Sequence, residues 1–86
     1  GYVKLKILFF AKLKQIIGKH EQIIEIESNK KISEVIVELI KINDNYAKAF
    51  SQVENLQYAI NCEYVNKEST VTNSDELAIF PPVTGG

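Results

Sequence analysis

ISEVIVELIKI, residues Ile32 to Ile42, is the stretch that decides the fold. Ile32, Val35, Ile36, Leu39 and Ile40 recur at i, i+3, i+4, i+7 and i+8, the spacing that lines one face of an α-helix. Ser33, Glu34, Glu38 and Lys41 occupy the opposite face. Several of the apolar residues are β-branched, which weakens helix propensity by about a few tenths of a kcal/mol each. The apolar stripe outweighs that. Ser28 or Asn29 is placed to cap the start, and Asn43, Asp44 and Asn45 end the helix. The same polar trio caps a shorter helix through Tyr46, Ala47, Ala49 and Phe50.

On either side of this helix the period changes from 3.6 to 2. Val3, Leu5, Ile7 and Phe9 alternate with Lys4 and Lys6, a half-buried strand. Leu8 and Phe10 then turn its polar face apolar. Leu13, Ile16 and Ile17 follow at helical spacing, with Gly18 where a C-terminal cap belongs. Gln22 to Glu27 alternates again, Ile24 and Ile26 against a solvent side of Glu25 and Glu27. Beyond residue 52, Tyr58–Ile60 and Tyr64–Val65 flank a tight connection in which Asn61 takes positive φ. A short piece at Thr70–Thr72 and a turn at Asn73–Glu76 lead to a last strand, Leu77–Phe80. Strands around one main helix, with shorter helices beside it, make an α+β fold with the sheet wrapped on that helix.

The 86 residues form one domain, residues 1–80, with a tail at 81–86. A chain this short buries only about 60–65% of its unfolded surface, enough for one core. The net charge is −1, and all ten cations are lysines. Nucleic-acid binding favours a basic excess and arginine forks, so that class is set aside. No apolar run approaches the roughly 20 residues of a membrane helix, and no secretory cleavage site follows the first apolar stretch. A single cysteine, Cys62, fits a reducing, cytoplasmic setting. With no histidine or second cysteine near it, Cys62 reads as a turn residue. His20 has no second metal ligand in sequence, so no metal site is expected.

The tail carries the chemistry. Pro81 and Pro82 lack backbone N–H groups, so the last strand cannot pass Phe80. Each also drives the residue before it into extended geometry. Pro81, Pro82, Val83, Thr84, Gly85 and Gly86 are expected to leave the body as a flexible arm reaching about 18–20 Å. Frayed ends are usually polar and arbitrary. This one is apolar, stiff at its base and without side chains at its tip, so Gly85 and Gly86 can enter a narrow slot. The Gly86 carboxylate is inert by itself and becomes an electrophile once activated as an acyl-adenylate. Phe10, Tyr64 and Phe80 are candidates for an apolar docking surface at the arm's base.

LFFAKLKQIIG (residues 8–18), YAINCEYV (58–65) and DELAIFPPVTGG (75–86) together resemble the small subunit of molybdopterin synthase, the MoaD family. The resemblance runs over essentially the whole chain. It implies a β-grasp (ubiquitin-like) fold and a sulfur carrier that is not an enzyme on its own. A MoeB-like adenylating enzyme would use ATP to activate Gly86, which a sulfur donor would convert to a thiocarboxylate (1-thioglycine). A MoaE-like large subunit would take in the tail and pass the sulfur to cyclic pyranopterin monophosphate (precursor Z). Two small and two large subunits are implied, and no permanently bound cofactor. Related readings stay open at this point: a thiamine- or tRNA-thiolation carrier, or a ubiquitin-like protein modifier. Lys14 stands where the family often has arginine, and Cys62 where it has Gly or a polar residue. Asn73-Ser74 replaces a Gly-containing turn, with Asn73 expected to supply the unusual φ.

Overall fold

The computed structural model describes residues 1–82; Val83, Thr84, Gly85 and Gly86 lie outside the described residues. Eight elements follow in order: β1 (Tyr2–Phe9), α1 (Ala11–Ile17), β2 (Glu21–Glu27), α2 (Ile32–Ile42), α3 (Asp44–Gln52), β3 (Gln57–Ile60), β4 (Glu63–Val65) and β5 (Glu76–Phe80). The strands form one mixed sheet in the order β2-β1-β5-β3-β4. β1 and β5 run parallel at its centre, and every other pairing is antiparallel. This is the β-grasp arrangement.

Alternation along β1 does what the sequence pattern requires. Leu5, Ile7 and Phe9 are buried against the helices while Lys4 and Lys6 point to the open face. Leu77 and Ile79 of β5 are buried beside them. From α2, Ile32, Val35 and Leu39 are fully buried. Ile40, expected on the same stripe, is exposed: the helix buries the centre line of its apolar face and leaves the flank to solvent. Tyr46 of α3 fills the gap between helices and sheet, its ring centroid 5.6 Å from that of Phe9. Its hydroxyl donates to Gln22 Oε1 at 3.1 Å, which satisfies a polar group carried inward on a buried ring.

Helix ends show where local sequence decides and where it does not. Gly18 ends α1 at φ +88°, its N–H donating to the Lys14 carbonyl at 2.8 Å. Asn43 caps α3, its Oδ1 accepting from the Asn45 N–H at 2.7 Å. The start of α2 differs from expectation. Neither Ser28 nor Asn29 caps it; the cap position is Lys31, whose N–H donates to Glu34 Oε1 at 3.0 Å. The next two free amides, of Ile32 and Ser33, donate to the carbonyls of Ser69 and Lys67 at 3.0 Å each. A loop more than thirty residues away in sequence thus supplies the missing acceptors.

That loop replaces the short strand expected at Thr70–Thr72. Only Thr70 makes a bridge, to Lys31, while Val71 is fully buried. In the following turn the left-handed residue is Ser74 (φ +68°) rather than Asn73. Asn73 is used differently: its Oδ1 accepts from the Lys4 N–H at 2.8 Å, binding the turn to β1. Among the described residues no helix is long and apolar enough to cross a membrane.

Candidate functional site

β5 lies between β1 and β3, so both edges of this five-residue strand are paired. Its inward residues are core; its outward residues are Glu76, Ala78 and Phe80. Register places Leu8, Ala78, Ala59 and Tyr64 in one row across β1, β5, β3 and β4 on the open face. Phe80 sits one step further along β5, opposite Gln57. The row is apolar throughout. One step toward the other end of the strands the open face is charged, with Lys6 opposite Glu76 and Lys4 opposite Glu25. Across β1, β5, β3 and β4 the open face is therefore apolar at the end where the chain leaves β5, while on β2 Glu21 lies beside Leu8 and Ile23 beside Lys6.

Phe10, Tyr64 and Phe80 meet at that end. Phe80 is central: its ring centroid lies 6.5 Å from Phe10 in an edge-to-face arrangement and 5.8 Å from Tyr64 at a tilt, both favoured geometries. Phe10 remains 45% exposed and Tyr64 76%, so the cluster is an exposed ledge and not core. Pro81 and Pro82 continue from Phe80 and line an apolar groove with Phe10, Ala11 and Ala78. A second hollow lies between Tyr64, Gln57, Phe80 and Pro82. The remaining tail residues, Val83, Thr84, Gly85 and Gly86, are outside the described residues.

A strained residue follows Phe10. Ala11 opens α1 with φ +55°, a left-handed conformation that costs an L-residue about 1–2 kcal/mol. The bend directly follows Phe10 at the close of β1. Sequence reading missed Ala11, and nothing in its local pattern signals it. It also missed Ala59, Ala78 and Gln57, whose part in the ledge follows from strand register alone. Ala11→Gly is expected to raise stability by about 0.5–1 kcal/mol, since glycine adopts positive φ freely. Ala11→Val is expected to lower it. A rise in melting temperature for the first and a fall for the second is the check; the reverse order refutes the strain.

Near the charged end, Asp75 collects three hydrogen bonds. Thr72 donates its N–H and its hydroxyl to Oδ2 at 2.7 and 3.0 Å, and the Asn61 amide donates to Oδ1 at 2.9 Å. Partial burial pushes this carboxyl's pKa up, but the bonds from Thr72 and Asn61 outweigh it and hold the pKa below its ordinary value. A depressed pKa means that the ionised form is favoured by folding. Its contribution is complete above the unfolded value of about 4 and is lost as pH falls through the folded one. Melting temperature is expected to drop on acidification from about pH 5 to about pH 3, and Asp75→Asn to drop less over that range. Equal acid sensitivity in the two proteins contradicts the assignment.

Cys62, His20 and Lys14 stay on the surface. Cys62 is an exposed free thiol in the β3–β4 turn. His20 is exposed, 3.7 Å from the Glu21 carboxylate, and Lys14 is exposed on α1. Among the described residues no group of three His, Cys, Asp or Glu side chains could hold a metal ion.

A mixed sheet grasping one main helix, with an apolar ledge where β5 runs into two prolines, defines the class of ubiquitin-like β-grasp proteins. The chain belongs to the ThiS family, whose model matches residues 7–86. A molybdopterin synthase sulfur carrier subunit of Haemophilus influenzae is 40% identical over 83 residues, covering 95% of this chain and 99% of that one. A protein of the same description from Dictyostelium discoideum is 34% identical over 85 residues, covering 96% of each. These relatives bear out the resemblance to the molybdopterin synthase small subunits over nearly the full length. Among solved structures, small archaeal modifier protein 1 of Haloferax volcanii superposes with a TM-score of 0.79 at 19% identity, covering 94% of this chain and 99% of that one. That likeness is one of fold.

Proposed function

We propose that this chain is the sulfur carrier subunit of a molybdopterin synthase and that Gly86 is its reactive residue. A MoeB-like enzyme joins the Gly86 carboxylate to the adenylyl group of ATP, releasing pyrophosphate. A sulfur donor attacks the acyl carbon, AMP leaves, and a thiocarboxylate remains. The tail then enters the active site of a MoaE-like large subunit, in an assembly of two small and two large subunits. There the sulfur, anionic at neutral pH, attacks cyclic pyranopterin monophosphate, and hydrolysis of the acyl–sulfur bond returns the carboxylate. The carrier supplies the sulfur; the large subunit supplies the catalytic groups. The reading places these steps in the cytoplasm, with no resident cofactor on this chain.

The observation that supports this reading best is the aromatic ledge at the root of the tail. Phe80 is at once the last strand residue and the centre of the exposed cluster with Phe10 and Tyr64. A partner that covers the ledge holds the exit of the chain in one direction, so Pro81 and Pro82 aim the residues beyond them. Near-full-length relatives described as sulfur carrier subunits support the same reading.

Intact mass spectrometry tests it. The chain, an adenylating enzyme, ATP and a sulfur source are expected to yield a species in which one oxygen is replaced by sulfur, localised to Gly86. Addition of a large subunit and precursor should return the original mass. Unchanged mass, or ladders in which Gly86 is joined to lysine amines, overturns the proposal.

A further inference from the structure

The hairpin that carries Tyr64 is the least self-sufficient part of the sheet. β4 is three residues long, lies at the edge and pairs only with β3. Hairpins of that size are marginal alone. Its two-residue turn is also costly, because Asn61 (φ +50°) and Cys62 (φ +71°) are both left-handed. Asparagine tolerates that conformation; the second position ordinarily requires glycine. Tyr64 nevertheless stands with its ring centroid 5.8 Å from that of Phe80.

The β3–β5 ladder fixes β3, and two further anchors hold the turn and β4. Past β4, the loop at Lys67–Ser69 is fastened to the first turn of α2 through the Ile32 and Ser33 amides. At the turn, Asn61 fastens it to β5. The Asn61 N–H donates to the Glu76 carbonyl at 2.9 Å, and the Glu76 N–H donates to Asn61 Oδ1 at 3.0 Å. Asn61 Nδ2 donates to Asp75 Oδ1 at 2.9 Å, and Asp75 Oδ2 is held in turn by Thr72. This clasp grips the first residue of the strand whose last residue is Phe80. Tyr64 and Phe80 are thereby referred to the same backbone.

We infer that Asn61 and Asp75 are positioning residues: their clasp sets the β3–β4 turn, and through it β4, against β5 so that Tyr64 stands beside Phe80 and completes the docking ledge. The consequence for binding rests on the proposed large-subunit interface; the consequence for ring placement does not. Asn61→Gly separates the clasp from the turn, since glycine accepts positive φ while the side-chain bonds vanish. Cys62→Gly does the opposite, relieving the turn and keeping the clasp.

The experiment is NMR on the three proteins, with titration calorimetry against a large subunit. For Asn61→Gly we expect loss of the Tyr64–Phe80 ring-to-ring NOEs and about ten-fold faster amide exchange at Glu63 and Val65, the β4 residues whose amides face β3, as for loss of one charge-assisted hydrogen bond. Core amides such as Leu5 and Leu77 should keep their protection, and affinity for the large subunit should fall about ten-fold, by the same loss. Cys62→Gly should keep the NOEs and the affinity and melt higher. Asp75→Ala, which removes the acceptor and leaves the turn sequence intact, must reproduce both losses; if it does not, or if Asn61→Gly keeps the NOEs, the inference is overturned. It is also overturned if the NOEs vanish without loss of affinity, or if core protection falls in step. Failure of the wild-type chain to bind any large subunit would sink the proposed function, while the NMR arm would still decide the clasp.

Discussion

Deleting Gly86 is expected to lower sulfur transfer by at least about a hundred-fold while leaving the melting temperature unchanged. The shortened chain still ends in a glycine carboxylate, so the loss is geometric. One residue of extended backbone spans about 3.3 Å, and a misplacement of about 1 Å at a reacting centre already costs about a hundred-fold. The proline pair makes the defect hard to repair, because a stiff stem cannot lengthen to compensate. Extension of the C-terminus should have a larger effect, since it leaves no carboxylate at Gly86 to adenylate. The same extension at Gly1 should be harmless. Thiocarboxylate yield by intact mass and molybdopterin formation in a reconstituted assay give the readout. Normal output from the shortened chain would remove the basis of the proposed chemistry.

Phe80→Ala is the second large effect. Phe80 is half-buried and carries the contacts to both Phe10 and Tyr64, the central position that dominates binding at protein interfaces. We expect a loss of about 2 kcal/mol in large-subunit affinity, about thirty-fold in Kd. Folding should suffer less, about 1 kcal/mol, because the ring lies on the open face and is only partly buried. Its neighbour gives the contrast. Ile79 is fully buried on the other face of the same strand, so Ile79→Ala should cost about 2–5 kcal/mol in stability and change affinity only through unfolding. Equal affinity of wild type and Phe80→Ala by calorimetry would exclude the ledge as the docking surface.

Legibility differed by element, for physical reasons. Period-2 alternation in β1 and β2 and the stripe of α2 were readable because side-chain direction follows backbone geometry residue by residue. Gly18 and Asn43 were readable caps because each acts within one turn of its own position. The N-terminus of α2 was not readable: its acceptors are carbonyls of Lys67 and Ser69, and every carbonyl looks alike in sequence. Ser74 took the left-handed place expected of Asn73 because the Asn73 side chain is engaged by the Lys4 amide.

The candidate site divides in the same way. Phe10, Tyr64 and Phe80 could be singled out from their places beside polar faces and the proline stem. Their contact could not, since Phe10 and Phe80 lie seventy residues apart and come together only through the parallel β1–β5 pairing. Ala59 and Ala78 belong to the ledge for that reason alone.

By itself, then, the order of residues determined which face of each element avoids water and, through Pro81 and Pro82, that the last strand ends at Phe80. These depend on covalent geometry and on solvent. Tertiary structure alone decided which strands are neighbours, which distant loop caps α2, and that three aromatic rings share the root of the tail. Pairing depends on backbone groups that are chemically identical along the chain, so only the packing of the whole core selects among them.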